Sequence, residues 1–138
     1  MSDRIKDYFL AETTLDHDKE GGALDRRLQV AIVVVLCFMG HVDAYFVTKE
    51  FDIIVRIVSR EFHLMDDEAS ELVEIAQILL KNPTKLQESI ALLNEHLSEE
   101  QRKHVLSIAW NVALADGLIQ NAEENLWRKL QGALQIYT

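Results

Sequence analysis

Apolar residues recur along most of this chain at the spacing of one helix face. Phe51, Ile54, Ile57, Val58 and Phe62 form one such set, and Leu72, Ile75, Ala76, Leu79 and Leu80 a second. Leu86, Ile90, Leu93 and Leu97 make a third, and Leu126, Leu130 and Leu134 a fourth. A period near 3.6 residues gathers each set on one side of an α-helix, where it can be buried against a neighbour. Val30 to Met39, VAIVVVLCFM, breaks the pattern with ten apolar residues in a row. A membrane-spanning helix needs about 17 to 25 such residues, so the run is too short to cross a bilayer. Its branched residues also suit a buried strand, and periodicity does not separate the two.

Punctuation between these runs predicts six helices. Asp25 is an N-cap candidate for a helix to about Asp43, and Thr48 caps a second that should end near His63. Asp66 or Asp67 is expected to cap the third. Asn82 and Pro83 close it and open the fourth, because proline disfavours helical geometry in the residue before it and suits the first turn of the helix after it. Ser98 and Gln101, in SEEQ, have the spacing of a capping box and open a fifth helix to about Asp116. Gly117 then permits a left-handed turn, and Asn121 caps the last helix with Glu123 and Glu124 in its first turn. Residues 1–24 read as a polar leader, in which Ile5, Tyr8 and Phe9 suit a short docking helix before the loop-like DHDKEGG. Residues 25–138 read as a single all-α domain.

An internal repeat strengthens the helical assignment. VDAYFVTKEFDIIVRI from Val42 aligns with ADGLIQNAEENLWRKL from Ala115, so that Asp43 and Asp116 are 73 residues apart (116 − 43), as are Glu50 and Glu123 (123 − 50). Related halves span about 29–61 and 102–134. The apolar run at Val30 then corresponds to the helix opened by Ser98, so it is expected to be a central helix buried on most sides.

Composition narrows the ligands. The chain has 138 residues, 49% of them hydrophobic and 27% charged, with one proline and five glycines, which is the balance of a folded helical protein. Fourteen basic against twenty-three acidic residues give a net charge of −9, which opposes nonspecific binding to nucleic acid or an anionic bilayer. Cations or a basic protein partner fit better. Cys37 is the only cysteine, so no internal disulfide can form, in keeping with a reducing compartment. The amino terminus lacks the apolar segment of a secretion signal, and a cytoplasmic location is expected.

The acidic corners carry the candidate chemistry, and folding alone accounts for much of them. Gly117 and Asn121 serve the turn and the cap, and acids at a helix start favour its positive end. Neither needs an Asp before the turn and a Glu seven residues later, in both copies. Asp43, Glu50, Asp116 and Glu123 are therefore the candidate ligands of a divalent cation, calcium or magnesium before zinc, because hard cations take oxygen donors. A surface for a basic peptide is a further use of the same residues. The corner lacks the alternating ligands of an EF-hand loop, and Ala44 stands in the first copy where Gly117 stands in the second.

AWNVALADGLIQNAEENLWRKL, from Ala109, together with IVVVLCFMGHVDAYFVTKEFDIIVRIV, resembles the TerB family of tellurite-resistance-associated helical domains. The resemblance covers most of the chain from about Leu28. It implies a multihelical fold of two repeats about a pseudo-twofold axis with two central helices, and acidic residues that bind metal, which map onto Asp116 and Glu123 and, by the internal copy, onto Asp43 and Glu50. With no catalytic motif in the chain, a non-catalytic module in stress-response or tellurite-resistance-related assemblies is the first expectation, an interaction scaffold with purely structural corners the second, and a small-molecule enzyme the third.

No other constellation competes. The histidines have no metal-ligand spacing, although His41, two residues before Asp43, is placed to extend a site toward softer metals. No GxSxG, P-loop or GxGxxG is present. An enzymatic role would require a deep polar pocket and a carboxylate of perturbed pKa. Cys37 in the apolar run is expected to be an inert thiol, and Trp110 and Trp127 to be buried.

Overall fold

A computed structural model describes residue 15 and residues 17–40, 48–115 and 121–136. Among these residues the fold is all-α. Six helices follow one another: α1 (Arg26–Gly40), α2 (Thr48–Phe62), α3 (Asp66–Leu79), α4 (Pro83–His96), α5 (Glu99–Ala115) and α6 (Asn121–Ala133).

The apolar run at Val30 is helix α1, and its surroundings explain its composition. α2, α3, α4 and α5 all pack against it. Every residue from Ala31 to Cys37 is buried, as is Met39. A helix covered on all sides has no face on which a polar residue is favoured, so no amphipathic period survives. α5 is the second helix of the centre, but a one-sided one. Val105, Leu106, Ile108, Ala109 and Val112 are buried, while Ser107 and Asn111 are exposed.

Helix ends follow local chemistry at most of the expected positions. The Asp25 carboxylate accepts from the Leu28 N–H, capping α1. The capping box at α5 is complete: Ser98 Oγ accepts from the Gln101 N–H at 3.2 Å, and Gln101 Oε1 accepts from the Ser98 N–H at 3.0 Å. Asn82 caps α4 by accepting from the Thr84 N–H, with Pro83 in the first turn. The start of α3 differs from expectation. Met65, not Asp66 or Asp67, is its N-cap and makes no side-chain cap bond; the two aspartates sit inside the first turn, at the positive end of the helix.

α2 ends where expected, near His63, but the way it and α6 close was not legible in the sequence. After α2, His63 takes φ 56°, and the Leu64 N–H reaches back to the Ser59 carbonyl. After α6, Gln135 takes φ 57°, with the Ile136 N–H on the Gln131 carbonyl and the Gln135 N–H on the Gly132 carbonyl. These are the hydrogen bonds of Schellman closures, which satisfy the last carbonyls of a helix. Glycine normally marks them; here a histidine and a glutamine stand in the left-handed position.

α1 and α5 begin 73 residues apart (99 − 26), and so do α2 and α6 (121 − 48). The two left-handed residues that follow α2 and α6 are 72 apart (135 − 63).

Candidate functional site: the two helix corners

Asp43 and Asp116, with His41, lie outside the described residues. Glu50 and Glu123 are each the third residue of a helix, α2 and α6. What the structure describes is the set of helices that lead into and out of each corner, and their directions.

Those directions follow from contacts at the other end of the molecule. Gln101, near the start of α5, donates from Nε2 to the His17 carbonyl at 2.7 Å. His17 is bridged to Ala23, three residues before α1 begins, so α1 and α5 start at the same end. The end of α2 returns there too: His104 Nε2, in the second turn of α5, lies 3.2 Å from Glu61 Oε2, both side chains largely buried. The end of α6 does the same. Arg102 donates from Nε to the Leu134 carbonyl at 2.7 Å and from Nη1 to the Leu97 carbonyl at 2.6 Å, tying the closing turns of α6 and α4 to the start of α5. Asn94 adds a bond from Nδ2 to the Ala133 carbonyl.

This pole therefore holds the starts of α1 and α5 and the ends of α2, α4 and α6. α1 and α5 pack against each other and point the same way, so their last turns, and the first turns of α2 and α6, belong to the opposite pole. Both acidic corners connect helix ends of that second pole.

The remaining candidates sit in structural roles. Cys37 is fully buried, and desolvation pushes its thiol up to about 12. Trp110 is half-buried against the core, whereas Arg56, Arg60, Arg128 and Lys129 are exposed. Among the described residues no group of three or more His, Cys, Asp or Glu is placed to hold a metal, and no helix is long and apolar enough to cross a membrane.

An all-α bundle of six helices is the class of protein that the described residues define. The family described as tellurite resistance protein TerB matches residues 29–138, and the chain belongs to this family. Comparisons with curated proteins and with solved structures found no match. The match begins inside α1; upstream of it Leu15 and Leu24 are buried, and the Lys19 N–H donates to the His96 carbonyl at 2.9 Å.

Proposed function

We propose that this TerB-family chain acts without catalysis, as a helical module that binds a divalent cation at the pole carrying its two acidic corners, within a stress-response or tellurite-resistance-related assembly. The observation that supports this is the common direction of α1 and α5, whose last turns lie at one end with the first turns of α2 and α6. Asp43, Glu50, Asp116 and Glu123 supply the carboxylates. That donor set suits calcium or magnesium, which take six or more oxygens, better than zinc, which prefers nitrogen and sulfur. The net charge of −9 draws a cation to the chain and favours a basic protein partner over nucleic acid.

A second use of the corners has its own support. Asp25, Asn82 and Ser98 show that short polar side chains cap α1, α4 and α5. Asp116 and Asn121 on the same principle serve folding alone, and the module is then an interaction scaffold without a metal. Thermal unfolding of chelator-stripped protein separates the two, because a ligand that binds only the native state raises the midpoint. A cation site predicts a concentration-dependent rise with calcium or magnesium that the Asp116→Ala, Glu123→Ala double variant lacks. An equal response of the variant, or none from the native chain, leaves the scaffold.

A further inference from the structure

We propose that the outer face of α3 is a docking surface for a basic helical segment of a partner protein. α3 packs against α1 and α2, and Ala69, Leu72, Val73 and Ala76 are its buried side. Asp67, Glu71, Glu74 and Ile78 recur every three or four residues on the opposite side, and all four are exposed. A solvated helix face is normally polar throughout, yet Ile78 is 64% exposed on this one. The other large apolar side chain that the described residues leave in water is Met65, 69% exposed, at the N-cap of the same helix. Single apolar residues scattered over a surface need no explanation. Here both stand on one element, at its two ends.

Charge identifies the occupant. α3 carries five acids, Asp66, Asp67, Glu68, Glu71 and Glu74, and no base. The first three lie in the first turn, where the helix dipole accounts for them, and Glu71 pairs with Arg26 at 3.1 Å. Glu74 has neither explanation, and it stands one turn from Ile78. A helix with arginines or lysines along one face complements the acids, and apolar residues at the ends of that face meet Met65 and Ile78. Those two anchors are 13 residues apart (78 − 65), about 20 Å at the helical rise. Basic groups alone would associate with any acidic surface; the apolar ends fix the register. The surface excludes both acidic corners, so a chain that binds no cation still binds here, and the converse holds.

Fluorescence anisotropy on the full chain tests this with a labelled synthetic helical peptide of about four turns, bearing arginines along one face and a leucine at each end of it. A second peptide has serine in place of both leucines. The native chain should bind the first at least about tenfold more tightly than the second. Glu74→Lys should weaken binding at least about tenfold and Ile78→Ser at least about fivefold, while Glu95→Lys, the same change of charge at an exposed position on α4, should weaken it less than about twofold. Glu74→Gln, which keeps the shape and removes the charge, should give a loss between those of the two lysine variants. The surface is overturned by no binding, by equal binding of the two peptides, by an unchanged Ile78→Ser chain, or by a Glu95→Lys loss that matches that of Glu74→Lys.

Discussion

At the residue scale, two positions report on features that composition does not reveal. Gln135 is exposed and holds the left-handed conformation in which glycine loses nothing to a Cβ clash. Gln135→Gly should therefore raise stability by about 0.5–1 kcal/mol in urea unfolding, whereas the same replacement inside a helix costs about that much. Cys37 was expected to be inert, and its burial gives that expectation a pH dependence. Its pKa is raised in the folded chain, so the protonated thiol contributes stability that is fully present below the ordinary thiol value and is lost as pH climbs toward about 12. A thiol reagent at pH 8 should label the native chain at least about a hundredfold more slowly than the denatured chain, because only an opened α1 offers a thiolate. Comparable rates would mean that the helix is not the covered centre of the fold.

Elements were legible where the sequence carries both a period and a stop signal. SEEQ, Asn82 with Pro83, and Asp25 each mark a helix start by a side chain that reaches a backbone amide, so a short string suffices. The start of α3 was misread because Asp66 and Asp67 are good caps, yet Met65 stands at the boundary, exposed and without a cap bond. That vacancy makes a prediction: Met65→Ser should add a cap and stabilise the chain by about 1 kcal/mol, read as a shift of the urea midpoint at constant slope. A neutral result would show that the turn at Leu64, not the missing cap, limits the start of α3. The Schellman closures after α2 and α6 escaped notice because neither His63 nor Gln135 is a residue that usually signals them. α1 was ambiguous between strand and helix, since a fully covered element has no polar face in either form, and only the copy at Ser98 decided it.

For the whole molecule, the order of helices was readable but their directions were not. A repeat at a constant offset says that two corners are alike without saying whether they lie together. Directions come from contacts between residues far apart in the chain, His17 with Gln101, Glu61 with His104 and Arg102 with Leu134, and none of these pairs has a spacing that sequence would flag. They bring the starts of α1 and α5 to one pole and so send the last turns of α1 and α5 and the first turns of α2 and α6 to the other. The central claim is that the two corners serve one cation. Calorimetric titration of calcium into three full-length chains tests it most directly: the native protein, Asp43→Ala with Glu50→Ala, and Asp116→Ala with Glu123→Ala. Shared ligation predicts binding near one ion per chain that falls at least about tenfold in either variant, since each removes half of the carboxylates. Undiminished binding in both variants, or no binding by the native chain, would contradict it.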